Sequence, residues 1–428
     1  MKPKQPVDSQ LSAMKGGRTY HDPVHGAITL DRQDPVEDLL IRLIDTAPFQ
    51  RLRRVRQLGA ASFTFHGAEG SRFTHSLGVL WVARQVFDRL QKNYPELRCH
   101  RAVVLVAALL HDLGHGPYSH TGEEMFQFHH ETWTRAILRN HPQIRQLLDA
   151  FAPDLVQQIL HVYQNCYPLP FVCQWVSGQL DCDRLDYLMR DSYLTGAAYG
   201  RLDLDRILAA IDYDPQRGEL VVHPKSLAAI EHYLVVRYFM YIQVYNHRKN
   251  IAATWMLCRL IERAKLSLEK LYCDPIMQRW LTQPIDQLEL QDYLATDDDV
   301  LNYHIHRWTQ AEDRILADLC QRFLQRNLFK IIEITRCSEP ERQQLLGQTQ
   351  QAVQQWGWDA HYYCGLYQRS MRGYTLYDRG IKVQTAQGIQ EINELSSLVQ
   401  SLSQTQTRAW LIYPREVTNQ VMEWLPRH

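Results

Sequence analysis

Val103-Val104-Leu105-Val106-Ala107-Ala108-Leu109-Leu110-His111-Asp112-Leu113-Gly114-His115-Gly116-Pro117-Tyr118-Ser119-His120 is the stretch that decides the fold. Eight aliphatic residues without a charge read as a helix buried on every side. Gly114 and Pro117 end it, so a helix is predicted over 101–112. A buried helix rarely closes on a carboxylate beside three histidines unless those groups bind something, because unpaired polar groups are costly in an apolar interior. Imidazole and carboxylate side by side can share one divalent cation.

Helical periodicity surrounds this run. Leu39, Leu40, Leu43 and Ile44 share a face, followed by Phe49, Leu52, Val55 and Leu58. Further helices are predicted over 75–90, 131–139, 144–151, 154–163 and 171–193. Residues 225–270 read as one long helical region unbroken by Pro or Gly, and 284–326 stay helical. Residues 20–30, punctuated by Pro23 and Gly26, read as a short hairpin or loop. Phe63-Thr64-Phe65 alternates and reads as extended, and 213–223 reads as a β-hairpin. After Leu328 the texture changes. Residues 330–335, 360–366, 380–383 and 408–413 are short β-like segments around helices, and the Gln-rich 343–355 is a polar helix. The expected fold is mainly α: an all-helical core with a small β-hairpin and a smaller α+β C-terminal lobe. The expected limits are a flexible N-terminus over 1–19, the helical domain with its extension over 20–327, and the lobe over 328–428.

The chain has 428 residues, 45% hydrophobic and 22% charged, which suits a globular protein with a substantial core. Lys+Arg and Asp+Glu are both 47, so net charge points to no polyanionic partner. The nine cysteines form no C-x-x-C pair. That argues against a zinc ribbon or disulfide scaffold and fits reduced thiols in a cytoplasmic protein. Met1-Lys2-Pro3-Lys4-Gln5-Pro6 has no apolar core of a signal peptide. No apolar run approaches the roughly 20 residues needed to span a bilayer, so no membrane partner is expected.

Three segments carry candidate metal ligands: 71–79 with His75, the pair His111-Asp112, and 179–191 with Asp181 and Asp183. His75, His111, Asp112 and Asp183 would supply two imidazoles and two carboxylates from three helices. Mixed N/O ligation suits one divalent Mn, Fe, Mg, Ni or Zn ion and disfavours copper or iron–sulfur. Such a site leaves room for water and a phosphate oxygen. Asp183, Tyr187 and Asp191 share a helix face, as do Arg237, Tyr241 and Tyr245. A triphosphate needs several cations, which Arg72, Arg184 and Arg237 can provide.

The order His…His-Asp…Asp resembles the signature of the HD-domain metal-dependent phosphohydrolases. The flanks resemble one branch, the deoxynucleoside triphosphate triphosphohydrolases, which include SAM-and-HD-domain dNTPases and bacterial dGTPase-like enzymes. They are His21-Asp22-Pro23-Val24-His25-Gly26, Ile44-Asp45-Thr46, Phe49-Gln50-Arg51-Leu52-Arg53, Gln57-Leu58-Gly59, Arg72 to Val79, His111 to His120 and Asp181 to Asp191. The resemblance runs from about His21 to Lys249 and more loosely through Leu328-Phe329-Lys330, and no SAM domain is expected before it. It implies cleavage of dNTP to deoxynucleoside and triphosphate by water attack at the α-phosphate. His75, His111, Asp112 and Asp183 would hold the metal, Asp183 being favoured over Asp181 because the family's ligand opens Asp-Arg-x-Asp-Tyr. His115 and His120 would sit by the α-phosphate, with Glu123 orienting His120 or the water and His130 as a further active-site histidine. Arg72, Arg184, Tyr187 and Arg237 would bind phosphates. Gln57 and Leu58 would approach the sugar, Asp191 its 3′-hydroxyl, and Tyr245 the base or sugar.

Other residues read as ordinary. His25 stabilises its turn, Asp186 is an ion-pair or capping residue, and His129 is a solvated surface residue. His100, His141, His161 and His247 carry no signal. Asp45, Gln50 and Arg53 match positions that recognise an activating nucleotide at a subunit interface in the SAM-and-HD branch, although His21 replaces an asparagine there. The resemblance thus implies a homo-oligomer (dimer, tetramer or hexamer) with nucleotide activation. An HD-type phosphodiesterase, nucleotidase or nuclease acting on another nucleotide or on single-stranded nucleic acid is the alternative.

Overall fold

The aliphatic run 103–110 is the centre about which the helices are arranged. In a computed structural model, which describes residues 16–375 and 380–425, β1 (Arg18–Asp22) and β2 (Gly26–Leu30) form an antiparallel hairpin. α1 (Pro35–Ile44) follows, begun by Asp34, whose carboxylate accepts from Val36 N and Glu37 N. The short α2 (Ala47–Arg51) leads towards α3 (Arg72–Asn93), and α4 (Arg101–Leu110) is the predicted apolar helix. Every residue of α4 from Val103 to Leu110 is buried, with α1 and α3 among its neighbours. Beyond it come α5 (His120–Phe126), α6 (His130–Asn140), α7 (Pro142–Phe151), α8 (Leu155–Tyr163), α9 (Pro170–Ser177) and α10 (Cys182–Thr195). α8 and α9 also cover α4, while α10 lies on α3. The hairpin of β3 (Ile211–Asp214) and β4 (Glu219–Val222) precedes α11 (Leu227–Met240) and α12 (Arg248–Leu266).

The remaining chain supplies α13 (Asp298–Trp308), α14 (Arg314–Leu324), β5 (Lys330–Glu333), α15 (Glu339–Gln355), β6 (Gly365–Met371), β7 (Lys382–Thr385), β8 (Gly388–Glu391) and β9 (Gln406–Tyr413). The fold is mainly α with small sheets. One sheet runs β5-β9-β6, and another runs β3-β4-β7-β8, so it takes strands from both sides of residue 328. One apolar cluster joins α3, α4 and α8–α11 to Tyr374, Val383 and Val399. The other joins Tyr118, Phe126 and α12–α14 to β9.

Several local expectations change. The N-terminal expectation falls mostly on residues 1–15, outside the described residues, while β1 already begins at Arg18. Residues 63–65 are not extended: a 3-10 turn over Gly59–Phe63 ends there, with Thr64 N bonded to Ala61 O. The helix expected over 171–193 is two helices, because Asp181 accepts from Arg184 N and starts α10 afresh. The region 225–270 is broken by a π-turn at Tyr241–Tyr245 and by His247, whose ring accepts from Lys249 N. Residues 360–366 open with a short helix, Ala360–Tyr363, whose start Asp359 caps, and only Gly365 begins a strand. Among the described residues no helix is long and apolar enough to cross a membrane.

Gly78 lets α3 pack tightly against α10. A Cβ there would lie 1.9 Å from Asp186 Oδ1 and 2.3 Å from Arg190 Nη2, both buried. Gly78→Ala should therefore destabilise the protein by about 1–3 kcal/mol, the usual range for overpacking. A thermal melt unchanged from wild type would contradict this crossing.

Candidate metal centre and its cleft

The His and Asp side chains converge because three helix segments meet at the end of α4. His75 is fully buried on the first turn of α3. His111 follows the last residue of α4, and its Nδ1 faces the Ala108 carbonyl at 2.9 Å. That contact places the proton on Nδ1 and the lone pair on Nε2. His75 is oriented the same way, with Nδ1 at 2.7 Å from Asp186 Oδ2. Both Nε2 atoms face the carboxylates. His75 Nε2 lies 3.0 Å from Asp183 Oδ1 and 3.5 Å from Asp112 Oδ2, and His111 Nε2 lies 3.2 Å from Asp112 Oδ1 and 3.6 Å from Asp183 Oδ1. The competing Asp181 points away, capping α10 and pairing with Arg184.

This donor set fits a divalent cation. His111 Nε2 is buried and without a hydrogen-bond partner, so a lone pair is aimed at the carboxylates. Burial would raise the Asp112 carboxyl, but the Arg72 guanidinium at 2.7 Å and the flanking imidazoles hold it well below the usual range. Burial likewise disfavours a charged His75, yet the carboxylates of Asp183 and Asp186 push its pKa up to about 10 in the metal-free protein.

A second cluster adjoins the first. Glu123 Oε1 lies 2.6 Å from His130 Nδ1, 3.2 Å from His120 Nδ1 and 3.7 Å from His115 Nδ1. His115 Nε2 faces Asp112 Oδ1 at 3.3 Å, so the two clusters touch. His115 and His130 stack with centroids 3.8 Å apart at 14°. The ligand atoms of these four side chains lie within 4.8 Å of one another, but parallel rings do not aim two lone pairs at one ion, and imidazoles against a carboxylate can also pass a proton. Burial would raise the Glu123 carboxyl, but hydrogen bonds from His120 and His130 hold it below the usual range. The His120 side chain is 66% exposed, whereas that of His115 is 1% exposed. Burial and then Arg72 drive His115 well below the ordinary imidazole value.

Both clusters open on a cleft of about 840 Å³. Its walls carry Gln57, Leu58, Arg72, Arg184, Tyr187, Asp191 and Tyr245. Gln57 Oε1 and Asp191 Oδ1 are buried acceptors without partners, while Asp191 Oδ2 accepts from Tyr245 OH at 2.9 Å. Arg237 does not reach this wall, because its Nη1 donates to Gln179 Oε1 at 2.8 Å. A π-turn over Tyr241–Tyr245 follows, and both of its end tyrosines line the cleft. The cleft also includes Tyr241, Asn250, Thr254 and, from β6, Arg369. Only Tyr241 had a sequence signal, its shared face with Tyr245. Asp45, Gln50 and Arg53 lie elsewhere. Asp45 pairs with Arg18 at the surface, and Arg53 donates to Gln50 Oε1 at 2.8 Å and stacks over Phe73.

Comparison with known proteins agrees with this geometry. A family model described as the HD domain matches residues 72–164. Over 414 residues the chain is 36% identical to the uncharacterised Bacillus subtilis protein YwfO, covering 94% of this chain and 93% of that one. The chain belongs to the HD-domain phosphohydrolase family. The crystal structure of a phosphohydrolase from Bacteroides thetaiotaomicron matches with a TM-score of 0.82 at 29% identity, covering 93% of this chain and 100% of that one. A Dictyostelium discoideum protein named as a deoxynucleoside triphosphate triphosphohydrolase SAMHD1 homolog is 28% identical over 345 residues, 76% of this chain and 62% of that one. HD-domain membership implies a hydrolase that binds divalent metal, and the cluster of His75, His111 and Asp183, with Asp112 beside it, could hold such an ion.

Asp183→Ala should abolish tight metal binding, measured by elemental analysis of the purified protein. Asp181→Ala should retain metal while losing stability, since removing a helix cap costs about 0.5–2 kcal/mol. The reverse result would exchange the two assignments. A second expectation concerns Asp191, which burial pushes up to about 7 despite the Tyr245 hydrogen bond. Below the ordinary carboxylate pKa the group is protonated both folded and unfolded, and its burial costs little. Above about 7 it is ionised in both states, and the folded state bears the desolvation. Chelated Asp191→Asn should therefore gain stability over wild type at pH 8 and lose that gain near pH 4. A gain independent of pH would contradict the buried-carboxyl account.

Proposed function

We propose that this protein is a metal-dependent dNTP triphosphohydrolase that cleaves dNTP to deoxynucleoside and triphosphate. The observation that carries the reading is the opening of a His/His/Asp/Asp set and an imidazole–carboxylate relay on one nucleotide-sized cleft. The name of the Dictyostelium relative supports the substrate class. A divalent Mn, Fe, Mg, Ni or Zn ion, when bound, supplies Lewis-acid activation of a phosphoryl oxygen and of water.

The chain's own residues do the rest. Arg72, Arg184 and, one layer behind, Arg237 supply positive charge for the triphosphate. Asp191 and Gln57 offer acceptors to sugar hydroxyls, and Tyr187 and Tyr245, whose ring centroids are 5.9 Å apart, bound the sugar and base. Water adds to the α-phosphorus as the bond to the 5′ oxygen breaks. His120 would deliver the proton to that oxygen, with Glu123, 3.2 Å from its Nδ1, orienting the ring. His115 would sit by the α-phosphate with His120, and His130 is a further active-site histidine. The Asp45–Gln50–Arg53 surface, with Arg18 at hand, is the proposed site of an activating nucleotide in a homo-oligomer.

His111→Ala or Asp112→Ala should eliminate triphosphate release in a folded protein, and His120→Ala should lower kcat by about 10²–10⁴. Incubation with each dNTP, singly and in mixtures with Mn or Mg, followed by product identification, checks this. Release of pyrophosphate, orthophosphate or cleaved single strands in place of triphosphate would favour the phosphodiesterase, nucleotidase or nuclease alternative. Activity confined to mixtures would locate control in an effector site.

A further inference from the structure

The β1–β2 turn reaches the metal centre without lining the cleft. The His25 side chain is 1% exposed, and its Nε2 lies 2.6 Å from Asp186 Oδ1. Its ring stacks on Trp81, with centroids 4.4 Å apart at 22°. The other oxygen of Asp186 faces His75 Nδ1 at 2.7 Å. One buried carboxylate thus serves two imidazoles. Arg190 donates Nε and Nη2 to the same carboxylate at 2.8 and 2.9 Å, and Nη1 to Asp22 Oδ2 at 2.8 Å. Asp22 Oδ1 accepts from Val24 N and His25 N, both at 2.9 Å, which closes the ring of contacts back to the turn.

These contacts saturate Asp186. An ionised carboxylate has about four acceptor positions, and His25, His75 and the two Arg190 donors fill them. Loss of the His25 donor leaves one position open and lets the carboxylate rotate about its two remaining partners. His75 would then lose the fixed acceptor that keeps its proton on Nδ1 and its Nε2 lone pair towards the ligand set. Such outer partners of metal-binding histidines set ring orientation and basicity.

We propose that His25 is a positioning residue for the metal centre, acting through Asp186 on His75. The proposal rests on His75 being a metal ligand. His25→Phe keeps a flat ring against Trp81 and removes the donor, whereas His25→Gln keeps a donor without the ring. Trp81→Leu disturbs the packing and leaves the donor intact. Metal affinity is measured by chelator competition, with elemental analysis and apo-protein melting alongside. His25→Phe should weaken metal binding about 10–100-fold, as removal of an outer partner commonly does. It should also move metal release to higher pH, because a weaker site loses its cation to protons sooner. His25→Gln should recover part of both, and Trp81→Leu should keep wild-type affinity even where its melting temperature is lower. Wild-type affinity in His25→Phe would overturn the proposal. So would losses that follow melting temperature alike in all three variants. If His25→Phe does not fold, His25→Ala carries the same comparison. His75→Ala separates the underlying reading: retention of metal there would refute the ligand assignment itself.

Discussion

The buried carboxylate of Asp186 is the interaction on which the site depends. It sits fully enclosed where α3 meets α10, bound by two histidines and by Arg190. Breaking such a buried pair by removing one partner typically costs about 3–5 kcal/mol, so the native arrangement is strongly enforced. Gly78 is the local condition for it, since any side chain there would meet the same oxygen. The orientation of His75 is thereby set by the same contacts that hold two helices and a hairpin together. Fold stability and ligand geometry are one problem at this point of the structure.

The side that carries His115, His120 and Glu123 is held differently. Tyr118 and Ser119 both have positive φ, at 59° and 55°, which is unfavourable for residues with a side chain. Each such residue costs on the order of 1–3 kcal/mol and persists only where its surroundings demand it. Here Asp298 of α13 accepts from Tyr118 N at 2.7 Å, and Arg72 donates to Ser119 Oγ at 2.9 Å. The second apolar cluster therefore reaches across to clamp the turn that carries His115 and His120 to either side of Glu123. Gly114 packs its backbone directly on α6, where a Cβ would meet His130 O at 2.2 Å, bringing His130 into the same group. Arg72 links the two halves, because the guanidinium that holds Ser119 also holds Asp112.

Much of this was legible along the chain. The apolar helix, the hairpins at 20–30 and 213–223, and the separate texture after Leu328 follow from periodicity and turn residues, which act between near neighbours. Asp183, the residue preferred on sequence, lies beside the two imidazoles, while Asp181 caps α10. The errors share one cause. Phe63–Phe65, the break before α10 and the π-turn at Tyr241–Tyr245 depend on hydrogen bonds whose alternatives differ little in local propensity. Arg369, Asn250 and Thr254 carried no signal because the cleft assembles them from β6 and α12, and a lone Arg, Asn or Thr on such elements is indistinguishable from surface.

Sequence alone sufficed for the chemical inventory: an aliphatic helix that must be interior, closed by imidazole and carboxylate, with further histidines, arginines and carboxylates in the neighbouring segments. Those conclusions are local, because side-chain chemistry and helical spacing belong to short stretches of chain. Folding settled the rest: which ring nitrogen faces which oxygen, that Arg237 is bound to Gln179 away from the cleft, and that His25 and His75 share the carboxylate of Asp186. His25 and Asp186 are 161 positions apart. No spacing rule spans that distance; packing of the intervening helices brings the two together, and packing is a property of the folded whole.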